Sequence, residues 1–177
     1  MHNRKLLLLI DFSGHPALGD HQMNTLRYDY LQHLIFSKCK DGKKLMIVSN
    51  HPSYDSKLTE ILRMAKANNH LVITAHPEKE FTVRDIEQLA MSNNINIFSV
   101  YVVGTNKSAC VLHSKKWSAV EWAKEGYDTT ILLQLCGEYE IPGTSYEKAL
   151  KSIYMIYKTI VSENLFNTLK IYVGNIR

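Results

Sequence analysis

The sequence of 177 residues lacks the features that mark disulfide-rich, nucleic-acid-binding and membrane proteins. Its three cysteines are odd in number and form no Cys-x-x-Cys pair, which argues against a disulfide framework or a structural zinc knuckle. The formal net charge is +4, but no block of five like charges occurs, so we expect solvated basic residues and no nucleic-acid surface. The apolar run in MHNRKLLLLIDFSG stops at Asp11 after about six residues, too short for a signal peptide or a membrane span. These absences predict a reduced, cytoplasmic protein with no membrane partner.

The sequence also lacks the glycine motifs of common nucleotide-binding and hydrolytic folds. No GxGxxG follows the first apolar run and no GxxxxGK[ST] occurs, so dinucleotide and P-loop sites have no support. The absence of GxSxG argues against a serine α/β-hydrolase. His51 and Asp55 could offer two metal ligands, but a catalytic zinc needs three from the protein. We therefore expect no cofactor and no metal.

What the sequence does contain is a regular alternation of short apolar runs with segments of helical period. The runs are KLLLLIDFSG (5–14), KKLMIVSNHP (43–52), HLVITAHP (70–77), INIFSVYVVG (95–104), YDTTILLQLCG (127–137) and LKIYVGN (169–175). Continuous apolar runs are typical of parallel strands that are covered on both faces. Helices are predicted over 24–42, 56–69, 82–94, 108–127 and 145–166. The pattern predicts a single α/β domain over 1–177, a three-layer open and mostly parallel sheet of about six strands with helices on both faces.

Three of the runs are followed by a His-Pro pair, in SGHPALG, SNHPSYD and TAHPEKE. Proline cannot donate to a strand ladder, so each pair indicates that a strand leaves the sheet at its carboxyl edge. Ligands of doubly wound sheets bind at that edge. Asp11, His51 and His76 are thereby placed at the predicted binding edge, although repeated turn chemistry also explains each histidine.

Cys110 begins the predicted helix after the fourth strand, and Asp11 ends the first strand. A helix N-terminus favours a thiolate and lowers its pKa, and its unpaired N–H groups can receive an oxyanion. An aspartate within reach can take the thiol proton and pass it to a leaving amine. A buried structural cysteine at a tight turn explains the same residues, so both interpretations stay open at this point.

Three stretches resemble the isochorismatase-like cysteine hydrolases, the nicotinamidase/isochorismatase superfamily. LLLLIDFS is similar to the opening strand and aspartate of that family, and LVITAHPEKEFTVRDIEQL looks like its third strand and the segment after it. FSVYVVGTNKSACVLHSKKWSAVEWAKEGYDTTIL resembles its central strand, its cysteine helix and the next strand. The resemblance extends over residues 5–135.

The resemblance implies the family's α/β fold, with Cys110 as the nucleophile and Asp11 as the general base. It also implies a cis peptide at Thr105–Asn106, which would aim the N–H groups of Asn106 and Cys110 at one oxyanion. The implied reaction is hydrolysis of a small amide or a vinyl ether by a homo-oligomer. The substrate pocket would include Phe12, His51, His76 and Phe81.

One departure from the family's pattern concerns its catalytic lysine. The position that the resemblance assigns to it, six residues before Phe81, holds Ala75. Lys79, with His76 nearby, could bring a positive charge from the turn and lower the pKa of Cys110. The lost lysine also supports an alternative, a catalytically degenerate member that binds a ligand or a partner. An unrelated flavodoxin-like or receiver-like module is a third interpretation.

Overall fold

The computed structural model describes residues 1–12, 21–40, 43–50, 55–75, 80–105, 107–136 and 169–172. These residues contain one sheet whose strands, in the order β3-β2-β1-β4-β5-β6, all run parallel to their neighbours. The strands are β1 His2–Ile10, β2 Leu45–Ser49, β3 Leu71–Thr74, β4 Ile95–Gly104, β5 Asp128–Cys136 and β6 Leu169–Tyr172. The predicted open parallel sheet of six strands is confirmed.

Helices connect the strands and cover both faces of the sheet. They are α1 His21–Lys40, α2 Ser56–Ala67, α3 Val83–Ser92, a π-helix over Lys107–Ser114, and α4 Ala119–Lys124. Right-handed crossovers place α1 and α2 on one face and α3 and α4 on the other, because the chain first moves from β1 towards β3 and then returns past β1. In the ranges given above, no helix is both long and apolar enough to cross a membrane.

The single helix predicted over 108–127 is wrong, because the chain is broken there into the π-helix and α4. Trp117, in the turn between them, is fully buried and packs edge to face on Phe81 with ring centroids 5.3 Å apart. Its neighbour Lys116 stays exposed, and Ser118 is the N-cap residue of α4. Burying this large ring explains the break. The helix predicted over 145–166 lies outside the described residues.

β1 is central in the sheet, and all five of its last residues, Leu6–Ile10, are fully buried. The direction in which strands are added reverses between β1 and β4: β2 and β3 extend one side, β5 and β6 the other. Ligands bind at such a switch point in doubly wound sheets. Gly104 allows the two strand ends to approach closely, since a Cβ atom there would lie 1.9 Å from the carbonyl oxygen of Ile10. The residues that follow β1 and β4 therefore meet.

Candidate active site

Asp11 directly follows β1, and Asn50, which directly follows β2, fixes its position. The Asn50 Oδ1 atom accepts the Asp11 backbone N–H at 2.8 Å, and Asn50 Nδ2 donates to Asp11 Oδ1 at 2.7 Å. Asn50 is buried, and Asp11 has a φ of 48°, in the left-handed region that aspartate tolerates better than most residues. One buried amide thus holds both the backbone and the carboxylate of Asp11. Sequence reasoning missed this function of Asn50.

Cys110 is the fourth residue of the π-helix that follows β4, and it is partly buried. The Asp11 carboxylate and the Ser114 hydroxyl are near enough to the thiol to shift its pKa, the first upwards and the second downwards. The structure therefore brings the predicted nucleophile and the predicted base together at the switch point of the sheet.

The pKa of the Cys110 thiol is raised, which is opposite to the direction expected for a helix N-terminus. Burial is the largest cause, followed by the negative charge of Asp11, which disfavours a second anion beside it. The Ser114 hydroxyl and the Lys115 ammonium act the other way and lower the pKa, but they do not outweigh these two causes. The thiol is consequently protonated at neutral pH, and it must lose its proton to a base before or during any attack.

Lys115 places a positive charge beside this pair, and sequence reasoning missed it. Its Nζ lies 3.6 Å from Asp11 Oδ2, with the two side chains 30% and 33% exposed. In an α-helix, residues five positions apart point roughly 140° away from each other, so an α-helical interpretation separates Lys115 from Cys110. A π-helix closes i→i+5 hydrogen bonds instead, so Lys115, which directly follows the last residue of the π-helix, comes closer to the side of Cys110.

Arg27, from α1, ties the strand ends around the site together. Its Nη2 donates to the carbonyl oxygens of Gly104, at 3.3 Å, and Leu135, at 3.4 Å. Its guanidinium lies over the Phe12 ring, 4.6 Å from the centroid. Arg27 is buried, and burial lowers its pKa. The carboxyl ends of β4 and β5 are thus held by one planar cation, a third contribution that the sequence did not reveal.

The other predicted site residues fall into two groups. The first group is described and buried: Phe12, Phe81 and Thr105. Phe12 packs edge to face on Tyr28, and Phe81 packs on Trp117. The Thr105 N–H donates to the carbonyl oxygen of Ile10 at 3.1 Å. The second group, together with the implied cis peptide, lies outside the described residues: His51, His76, Lys79 and Asn106. The roles of both groups stay predictions.

Metal binding finds no support in the part of the chain that the structure describes. No group of three or more His, Cys, Asp or Glu side chains there could hold a metal ion. Asp55, one of the two ligands considered from the sequence, caps α2 instead. Its carboxylate accepts the Leu58 N–H at 2.9 Å and the Tyr28 hydroxyl.

Comparisons with known proteins relate this architecture to several hydrolases. No family model and no curated protein matches the sequence. The nicotinamidase SaPncA of Staphylococcus aureus has a TM-score of 0.63 at 15% identity, with 99% of this chain and 100% of that chain covered. The N-carbamoylsarcosine amidase of Thermoplasma acidophilum has a TM-score of 0.51 at 10% identity, with both chains fully covered.

The fold is also shared by a nuclease. The MAR1 ribonuclease of Caenorhabditis elegans has a TM-score of 0.53 at 11% identity, with 97% of this chain and 76% of that chain covered. At these identities the likeness establishes the fold, and the fold does not determine the activity. The fold implied by the resemblance to isochorismatase-like hydrolases is confirmed.

Proposed function

We propose that this protein is a cysteine hydrolase of the isochorismatase type that cleaves a small amide, with Cys110 as nucleophile and Asp11 as general base. The observation that carries the proposal is that the Asp11 carboxylate acts on the pKa of the Cys110 thiol at the switch point between β1 and β4. Amidases among the proteins that share the fold support an amide substrate. A vinyl ether is the alternative substrate class.

The raised pKa of the thiol determines how the reaction begins. Because the thiol is protonated at neutral pH, Asp11 takes its proton as the sulfur attacks the carbonyl carbon. The negative charge that develops on the carbonyl oxygen needs donors nearby. The N–H of Cys110 belongs to the first turn of the π-helix, where N–H groups have no helical acceptor. The resemblance implies Asn106 as the second donor.

Asp11 then acts as an acid and afterwards again as a base. It gives the proton to the leaving amine, the C–N bond breaks, and an acyl thioester remains on Cys110. A water molecule that gives its proton to the Asp11 carboxylate attacks the thioester. The C–S bond breaks, the proton returns to the sulfur, and the carboxylic acid leaves. Amide and water are converted into acid and amine.

Lys115 supplies the positive charge that the family's catalytic lysine would supply from the position that Ala75 occupies in this chain. Its ammonium, 3.6 Å from Asp11, offsets the carboxylate charge that opposes formation of the thiolate, and it lowers the pKa of Cys110. The charge thus comes from the residue directly after the cysteine's helix and not from the end of β3. Lys79, predicted from the sequence for the same role, stays a second candidate.

A second candidate function is a catalytically degenerate protein that binds a small ligand at this site. The raised thiol pKa and the alanine at position 75 both favour it. The two functions differ in turnover, since a binding protein would retain its ligand unchanged.

Ammonia release from a panel of small amides, including nicotinamide, tests the proposal. We expect at least one amide to be hydrolysed, with activity lost in Cys110→Ala and kept in Cys136→Ala. Cys136 is a matched control because its thiol is buried at the end of β5 and hydrogen-bonds to the Leu132 carbonyl oxygen. Hydrolysis that survives in Cys110→Ala would refute the proposed nucleophile. Binding of one compound without any turnover would support the second candidate.

A further inference from the structure

A cavity of about 500 Å³ lies at the amino edge of the sheet, opposite to the edge that carries Asp11 and Cys110. The start of β1, the residues before β2, and Phe98 of β4 line it. Its volume falls within the range of sites that bind small molecules. The hydrolase proposed above makes no use of this cavity.

Four basic side chains line the cavity: Arg4, Lys5, Lys43 and Lys44. Three of them donate to neutral oxygens, Arg4 to the Leu45 carbonyl at 3.5 Å, Lys5 to the Tyr101 hydroxyl at 2.7 Å and Lys44 to the Asn68 carbonyl at 3.0 Å. Within the described ranges, none of the four forms an ion pair with a carboxylate. Clustered cations without a counter-ion repel one another, and a bound anion relieves that repulsion.

His70, which is buried behind the cavity, responds to the same positive field. Its Nδ1 accepts the Leu45 N–H at 2.9 Å. Burial lowers the pKa of His70 to about 4, and the charges of Lys44 and Arg4 contribute. The histidine is therefore neutral at physiological pH.

A β-bulge sets Phe98 beside these cations. Pairing between β1 and β4 passes from Arg4 with Ile97 to Lys5 with Ser99, so Phe98 is the extra residue. Bulges are rare between parallel strands, and they change the direction of a side chain. Phe98 is 50% exposed, and the Lys5 Nζ lies 5.7 Å from its ring centroid. An exposed aromatic face next to a group of cations suits a flat ring that carries an anionic group.

We propose that this cavity binds a small phosphate-bearing ligand with a flat ring, of the mononucleotide class. The phosphate contacts Arg4, Lys43 and Lys44, and the ring stacks on Phe98. The site is separate from Cys110, so its ligand is distinct from the amide of the proposed hydrolase.

Isothermal titration calorimetry of the full chain with AMP and with inorganic pyrophosphate tests the proposal. Any affinity tag belongs at the carboxyl terminus, because Met1 lines the cavity. We expect the Lys43→Ala/Lys44→Ala pair to weaken AMP binding about tenfold or more. Phe98→Ala should weaken AMP binding roughly fivefold and leave pyrophosphate binding unchanged.

The controls change charge or chemistry away from the cavity. Lys57→Ala/Lys124→Ala removes the same two charges from exposed positions outside the lining, and Cys110→Ser alters the opposite edge of the sheet. Both control variants should bind AMP with a Kd within about twofold of that of the unsubstituted chain. Absence of AMP binding up to about 1 mM, or an equal loss in the control pair, would overturn the proposal. So would AMP binding that Phe98→Ala leaves unchanged.

Discussion

Replacing Lys115 with methionine removes the cation beside Asp11 and Cys110 while keeping a long side chain. At the 3.6 Å separation of Lys115 and Asp11, two unit charges interact by roughly 1 kcal/mol in water and roughly 5 kcal/mol at an effective dielectric constant of 20. Both side chains are about one-third exposed, so solvent screening favours the lower figure. Lys115 also lowers the pKa of the Cys110 thiol through its charge, and a screened interaction of about 1 kcal/mol between an ammonium and a neighbouring anion corresponds to about 0.7 pKa unit.

The rate of iodoacetamide labelling as a function of pH measures this pKa, if the peptide that contains Cys110 is followed by mass spectrometry. We expect Lys115→Met to raise the pKa by about 0.5–1 unit, and Lys115→Arg to leave it near the original value. Amide hydrolysis at neutral pH should fall about three- to tenfold in Lys115→Met. The matched control is Lys116→Met, because Lys116 is exposed and lies 3.8 Å from Glu80. An unchanged pKa in Lys115→Met, or the same rise in Lys116→Met, would refute the electrostatic role of Lys115.

Two further predictions concern the stability of the fold. Because the pKa of His70 is about 4, below its unfolded value of about 6.5, the unfolded chain binds more protons and the free energy of unfolding falls as the pH drops between these values. His70→Asn, whose Oδ1 takes the place of the Nδ1 atom that accepts the Leu45 N–H, should remove up to about 2–3 kcal/mol of this loss in urea unfolding. The exposed control His33→Asn should not, and an undiminished loss in His70→Asn would contradict the prediction. Gly104→Ala should lower the free energy of unfolding by about 1–3 kcal/mol and abolish hydrolysis, since its Cβ would lie 1.9 Å from a backbone oxygen of β1. Gly126→Ala, whose Cβ would meet no atom within 4 Å but whose φ of 87° strains an alanine, should lose some stability and remain active. Full activity in Gly104→Ala would contradict the close approach of the strands.

The strands were predictable because their signal is local. The run from Leu6 to Ile10 is continuously apolar, and all of it is buried in the central strand. β4 ends at Gly104 in both the prediction and the structure, but its first half alternates between buried and exposed residues, with Asn96 and Phe98 exposed. Once the sheet is parallel, the ends of its strands share an edge, so Asp11 and Cys110 could be placed together before any coordinates were known.

The rest of the site depends on tertiary contacts that no local pattern encodes. Lys115 reaches Asp11 because the cysteine helix is a π-helix, whereas apolar periodicity suggested one long α-helix over 108–127. Asn50 holds Asp11 because β1 and β2 are neighbours. The pKa of Cys110 was expected to be lowered by a helix N-terminus. Burial and the nearby carboxylate outweigh that effect, and both arise only when the chain is folded.

The most direct test of the central proposal, that Cys110 gives its proton to Asp11, is the thiol pKa of Asp11→Asn measured together with its hydrolytic activity. Asparagine keeps the backbone N–H that donates to Asn50, but it removes the charge that raises the thiol pKa. We predict that the pKa of Cys110 falls, so that labelling at neutral pH becomes faster, while amide hydrolysis is lost because no base remains. An unchanged or higher thiol pKa, or hydrolysis that persists in Asp11→Asn, would contradict the proposal.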